Sequence, residues 1–192
     1  IDTVVVSHLH GDHFGGIPFL LLEAKYVSQR QRPLTLIGPP RLQQQVEAAL
    51  EALYPGTLAA GLQFRVNYLM LAPEHIHTSG SYHISCCPVK HGSSLDVFGL
   101  QIEIAGKRIS YTGDTEWTEN LLTLAAGSDL LIAECYAYDQ ATPSHLDYQT
   151  LLQRRAELNC QRVLLTHLGP DMLLNLAELQ FDVANDGDLI EL

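Results

Sequence analysis

Apolar and polar residues alternate with two different periods along this chain, and the switches between them mark the element boundaries. Asp2-Thr3-Val4-Val5-Val6 is β-branched and apolar, which predicts a strand over 2–7. Helix-spaced apolar residues at Ile17, Leu20, Leu21 and Ala24 predict a helix over 16–28. A short strand over 34–37 ends at Gly38-Pro39-Pro40, and a helix over 41–53 is closed by Tyr54-Pro55-Gly56. Four strands follow, over 63–71, 82–89, 97–104 and 108–111, with Ala105-Gly106-Lys107 as a tight hairpin between the last two. Beyond them the pattern predicts a helix over 116–126, a buried strand over 130–135 and a helix over 147–158 with Asp147 as its N-cap. A strand over 162–166, a short helix over 173–179 and an edge strand over 188–192 complete the order. No repeat, linker or low-complexity segment interrupts it. Strand pairs with covering helices predict α/β or α+β layering.

The densest chemistry lies at the end of the first predicted strand. Ser7-His8-Leu9-His10-Gly11-Asp12-His13 places three imidazoles and a carboxylate within six residues, in the pattern H-x-H-x-D-H. All four are good ligands for a borderline metal such as zinc. His8 and His10 are two apart, so an extended chain points them to one side. Asp12 and His13 are expected in a turn opened by Gly11, where the chain can aim at a second point. Burying such a group without a metal would leave several polar side chains needing partners.

Further ligand types follow predicted strands. His91 ends Pro88-Val89-Lys90-His91, Asp114 lies in the turn of Thr112-Gly113-Asp114-Thr115, and His167 ends Arg162-Val163-Leu164-Leu165-Thr166-His167. Ligand sites of sheet proteins collect at such strand ends.

In this order, H-x-H-x-D-H, His91, Gly113-Asp114-Thr115 and His167 resemble the motifs of the metallo-β-lactamase superfamily. Thr112-Gly113-Asp114-Thr115, Asp129-Leu130-Leu131-Ile132-Ala133-Glu134, Ser144-His145-Leu146 and Leu165-Thr166-His167 resemble its ribonuclease Z-like phosphodiesterase branch. The resemblance implies an αββα sandwich. It implies two zinc ions, with manganese or iron as alternatives: one held by His8, His10 and His91, the second by Asp12, His13 and His167, with Asp114 bridging. In the family, several strands precede the first motif. This sequence starts at Ile1 on the motif strand, so a single domain over 1–192 lacking those first N-terminal strands is expected.

The resemblance implies that His145 helps stabilise a phosphoryl transition state or protonates the leaving group. Glu134, after a buried strand, is a candidate for orienting that histidine, with a plain capping or surface carboxylate as the alternative. Asp12 is expected both to bind metal and to accept a proton from the attacking water. His75 and His77 form another H-x-H, but Pro73 and Ser79-Gly80-Ser81 mark an exposed loop, and no acidic extension follows. His83, beginning an apolar strand, reads as structural. Tyr136 and Tyr138 are candidates for lining the pocket or for plain packing, and Trp117 for walling it.

The expected activity is a zinc-dependent hydrolysis of a small phosphodiester. The alternatives are a lactone, thioester or sulfate ester on the same site, or transfer-RNA 3′ processing. Against transfer RNA, only 22 residues separate His91 from Asp114, which leaves no room for the long basic arm of those enzymes. A di-iron redox enzyme usually carries a carboxylate in the first motif where His8, His10 and His13 stand here. A non-catalytic binding protein would have lost ligands.

Composition adds limits. With 192 residues and 46% hydrophobic content the chain can bury a core. A net charge of −11 does not attract nucleic acid non-specifically, though metals would set the local field for a small anionic ester. No run of 18 apolar residues predicts a membrane span, and no basic n-region predicts a signal peptide. Cys86, Cys87, Cys135 and Cys160 show no bridging framework, as in a cytoplasmic protein with reduced thiols. A homodimer is a family-level expectation.

Overall fold

A computed structural model describes residues 1–94, 96–140 and 142–192. Its chain divides into two compact units, Ile1–Leu71 and Ala72–Leu192.

The first unit is built on a three-stranded parallel sheet, β1 (Thr3–Val5), β2 (Leu34–Gly38) and β3 (Val66–Met70), in that order. Thr3 pairs with Thr35, and Leu34 with Val66. After β1 the chain forms one helical turn, α1 (Gly11–Phe14), then α2 (Ile17–Leu22), which widens into a π-helical turn over Glu23–Val27. α3 (Leu42–Leu53) precedes β3 and buries Leu42, Val46 and Leu50, a spacing of four that keeps all three on one face. They join Ile17, Leu21, Leu34, Leu36 and Phe64 in one core. Fully burying a side chain of this kind is worth about 1.5–3 kcal/mol.

The second unit carries a seven-stranded sheet. Its strands are β4 (His77–Ser79), β5 (Tyr82–Pro88), β6 (Phe98–Ile104), β7 (Lys107–Tyr111), β8 (Leu130–Glu134), β9 (Arg162–Thr166) and β10 (Asp182–Val183), in sheet order β10-β9-β8-β7-β6-β5-β4. From β4 to β7 neighbours are antiparallel; from β7 to β10 they are parallel. β5 therefore runs in the same sense as β7, β8 and β9, and all four end at one edge of the sheet. The β6–β7 hairpin turns through Ala105 and Gly106, at φ 53° and 77°. Both central residues at positive φ mark the turn that matches strand twist, and glycine suits its second position. β8 is buried along most of its length, as a central strand of a parallel region should be. Leu131, Ala133, Val163 and Leu165 pack with Tyr148 and Leu151 of α5 (Tyr148–Gln153). α4 (Asn120–Ala125) places Leu121 and Leu124 against Cys87 and Val89, and α6 (Pro170–Leu174) adds Met172 to the α5 core.

Several expected elements change. The helix predicted over 116–126 starts only at Asn120; Glu116 is drawn away from it, its N–H donating to the Lys90 carbonyl at 2.7 Å. The helix over 147–158 ends at Gln153 and resumes as a short 3₁₀ turn over Arg155–Glu157. The helix over 173–179 begins earlier, at Pro170, and gives way to a 3₁₀ turn over Leu176–Glu178. The edge strand predicted over 188–192 does not form; Asp182–Val183 pairs with Leu164 and Leu165 instead. β4 was not expected, and it puts His77 in a strand opposite Ile84.

Candidate metal and catalytic site

In the first unit, pairing with β2 continues one residue past β1, where Val6 N–H donates to the Ile37 carbonyl at 2.8 Å. The chain then bends at Ser7 and leaves the sheet, and His10, at φ −77° and ψ 152°, is extended just before α1. Asp12 and His13 sit in the α1 turn that opens at Gly11, where a turn was expected. That turn curls His13 back onto His8: the rings lie 4.0 Å apart, and His8 and His10 lie 4.7 Å apart, edge to face. Asp12 Oδ2 lies 3.2 Å from His13 Nε2. Ser7 Oγ is 3.1 Å from His8 Nδ1, so the opposite ring nitrogen faces the other way. His8 is buried, whereas His10 and the Asp12 carboxylate are open.

In the second unit, the shared edge of β5, β7, β8 and β9 delivers His91, Asp114, Glu134 and His167. Gly113 takes φ 61°, which lets the chain turn sharply after β7 and bury Asp114. One donor atom each of His91, Asp114 and His145 lie within 4.8 Å of one another, as do those of Glu134, His145 and His167. Such separations are close to the span across an ion with bonds of about 2.0–2.2 Å. Imidazole and carboxylate donors suit zinc, manganese or iron. His167 Nε2 is 3.5 Å from Asp114 Oδ2. His91 Nδ1 lies 2.7 Å from the Ser144 carbonyl. A carbonyl can only accept, so His91 carries its proton on Nδ1 and keeps Nε2 for a ligand role.

Glu134 is fully buried at the end of β8. Its backbone N–H donates to Thr112 Oγ1 at 2.9 Å, and its Oε1 accepts from Thr115 N–H at 2.6 Å. The same oxygen is 3.0 Å from His145 Nδ1. Burial pushes the Glu134 carboxyl up, to about 9; the nearby Asp114 adds to this and the Thr115 N–H opposes it. Tyr136 stacks on His145 with ring centroids 4.8 Å apart, and His145 stacks on His167 at 5.4 Å. His145 is thus bounded by a carboxylate at one ring nitrogen and by aromatic faces. Gly169 permits the Tyr136 placement, since a Cβ there would run into the Tyr136 carbonyl.

Other candidates fall elsewhere. Tyr138 stacks on Tyr148, and its hydroxyl donates to Glu178, which is a packing role. Trp117 packs beside Leu121 and Leu124 and carries Arg154 over its ring at 5.1 Å. His75 and His77 sit 4.6 Å apart beside an exposed strand end, and exposed His83 meets Thr78 Oγ1 at 3.0 Å. Sequence reasoning passed over Glu116 and Ser144. The signals were a carboxylate directly after the Gly-Asp-Thr turn and a proline two residues before His145.

The sequence matches the beta-lactamase superfamily domain over residues 1–168, and the chain belongs to that family. It is 28% identical over 187 residues to the mitochondrial ribonuclease Z of Drosophila melanogaster, covering 88% of this chain and 24% of that protein. It is 23% identical over 223 residues to the ribonuclease Z of Staphylococcus haemolyticus, covering 88% of this chain and 71% of that one. The chain thus spans about a quarter of the Drosophila relative. Among solved structures it is similar to the metallo-beta-lactamase fold protein YhfI of Bacillus subtilis (22% identity, TM-score 0.74, 100% of this chain and 78% of that one). It is also similar to a diphosphatase of the PhnP family (18% identity, TM-score 0.72, 100% and 72%). The expected mixed α/β fold is the one these structures share. No helix among the described residues is long and apolar enough to cross a membrane.

Proposed function

We propose that this chain is a zinc-dependent hydrolase domain that cleaves a small phosphodiester. The observation that carries the reading is the arrangement at one sheet edge, where His91, Asp114 and His167 gather beside His145 and its buried partner Glu134. With His8, His10, Asp12 and His13 of the first unit, these residues make up the donor set that the superfamily resemblance assigns to two divalent ions. His8, His10 and His91 would hold one, Asp12, His13 and His167 the other, with Asp114 between them.

Ions bound by these donors supply Lewis acidity toward the ester and activate water near neutral pH. The chain's own groups do the rest. Asp12 accepts a proton from the attacking water. His145 donates a proton to the departing oxygen as general acid. Glu134, 3.0 Å from Nδ1, sets the ring's orientation, and the Tyr136 stack restricts its rotation. His91, with Nδ1 committed to the Ser144 carbonyl, presents one nitrogen only.

Ribonuclease Z relatives favour a second reading, transfer-RNA 3′ processing. Two features weigh against it. The segment from His91 to Asp114 is occupied by the β6–β7 hairpin, with no long basic insertion, and the chain carries a net charge of −11. The four free thiols suit a reducing, cytoplasmic setting; burial pushes Cys86 and Cys87 up to about 11 and so keeps them unreactive.

Turnover of bis(p-nitrophenyl) phosphate by the zinc-loaded protein, with and without chelator, tests the reading. Chelator-sensitive release of nitrophenol supports it. A protein that holds two zinc ions and releases none would sink it, and cleavage of precursor transfer RNA alone would favour the second reading.

A further inference from the structure

Glu116 lies two residues past Asp114, outside any helix and outside the proposed ligand set, yet it ties together two segments that carry site histidines. Its Oε2 accepts from Lys90 Nζ at 2.7 Å, and its backbone N–H donates to the Lys90 carbonyl. Lys90 N–H in turn donates to Thr115 Oγ1 at 3.1 Å. These bonds fix Glu116 against the residue before His91. Its second oxygen, Oε1, accepts from the Ser144 N–H at 3.2 Å, directly before His145.

Ser144 needs such a partner. Thr142-Pro143-Ser144-His145 is a turn closed by His145 N–H donating to the Thr142 carbonyl at 3.1 Å. Pro143 suits the second position of a turn whose third position takes positive φ and normally holds glycine. Here that position is Ser144, at φ 75°. A residue with a side chain keeps this conformation when its surroundings over-determine it. Both backbone groups of Ser144 are held: its N–H by Glu116 and its carbonyl by His91 Nδ1 at 2.7 Å. Gly92, at φ 58°, completes the close fit, since a Cβ there would stand 3.3 Å from Ser144 Oγ.

We propose that Glu116 is a positioning residue that holds the Ser144 turn in its positive-φ conformation, and so sets both the direction of the His145 ring and the acceptor that orients His91. Without the Oε1 acceptor, Ser144 relaxes, His145 shifts relative to Glu134 and Tyr136, and the proton donor stands off line. The activity part of this inference rests on the hydrolase reading; the structural part does not.

Glu116→Ala and Glu116→Gln, made in the whole chain, separate the possibilities. Glutamine keeps an oxygen that can accept from Ser144. In the alanine variant, amide exchange over residues 142–146 accelerates by roughly tenfold or more, as expected for a released charged hydrogen bond. Its kcat on bis(p-nitrophenyl) phosphate falls about 10-fold to 100-fold, the scale of a small misplacement, while KM stays within about twofold. Glu116→Gln restores both exchange and kcat to near wild type. Unchanged exchange over 142–146 in the alanine variant overturns the proposal, and so does a glutamine variant as impaired as alanine. If the wild-type protein shows no turnover, the hydrolase reading fails, and the exchange comparison still decides the role of Glu116.

Discussion

Asp114 is the residue on which most of the proposed site would depend. It is buried, its Oδ2 lies 3.5 Å from His167 Nε2, and it belongs to the donor group of His91 and His145. A buried carboxylate among imidazoles is stable when a cation or hydrogen bonds compensate its lost hydration. In the proposed centre it would serve both ions, so its removal would affect both at once. Asp114→Ala is expected to lose both bound zinc ions and the hydrolytic activity together. Measured zinc content settles it: a variant retaining two ions at full occupancy removes Asp114 from the bridging position. Glu134 works differently. It is held by Thr112 and Thr115 and meets the ring of His145, so it serves the proposed proton donor.

Among the elements, α5 shows how a local signal places a site loop. Asp147 caps it, with Oδ1 accepting from Thr150 N–H at 2.8 Å and Oδ2 from the Thr150 hydroxyl at 2.7 Å. Asp147 stands two residues after His145, so the helix start anchors one end of the Ser144-His145 turn. Tyr148 N–H donating to the Ala137 carbonyl at 2.8 Å ties that start to the chain leaving β8. Asp147→Ala removes both side-chain bonds and is expected to cost about 0.5–2 kcal/mol of stability, the usual range for a lost cap. Urea unfolding reads this as a lower midpoint with unchanged slope; an unchanged midpoint would mean that packing of Tyr148 and Leu151 alone holds α5 in place. The β-edge has the same logic. Parallel β7, β8 and β9, with β5 in the same sense, end side by side, so residues distant in sequence become neighbours without any special loop.

For the whole molecule, the donors are spread from His8 to His167 along the chain, so ions held by them would bind the folded chain and not the unfolded one. Ligands of that kind stabilise by mass action, about 2.7 kcal/mol per site at a hundredfold excess over Kd. Removal of metal with a strong chelator is therefore expected to lower the unfolding temperature by several degrees, on the scale of about 2–4 °C per kcal/mol for a chain of this size. Calorimetry before and after dialysis, with zinc added back, tests it. Equal unfolding temperatures with and without zinc would show that the donors do not hold an ion tightly.

Periodicity and ligand spacing already determined much of this protein. The strands over 34–38, 82–88 and 162–166, the capped helix at 148 and the hairpin at Ala105-Gly106 rest on local patterns: β-branched runs, a capping aspartate and a glycine at positive φ. The seven proposed metal-ligand residues were legible because ligand chemistry restricts residue type, and their order along the chain resembles a specific superfamily. Only the tertiary structure decided the rest. That Glu134 reaches His145, that Tyr136 stacks on the same ring while Tyr138 turns away, and that Glu116 bonds to Lys90 and stays out of α4 all depend on partners brought close by folding. The strand at Asp182–Val183, formed in place of one at 188–192, exists because β9 offers an edge there. Contacts between segments that follow different strands leave no periodic trace in a sequence, and a carboxylate such as Glu116 takes its role from the lysine and the amide that folding sets beside it.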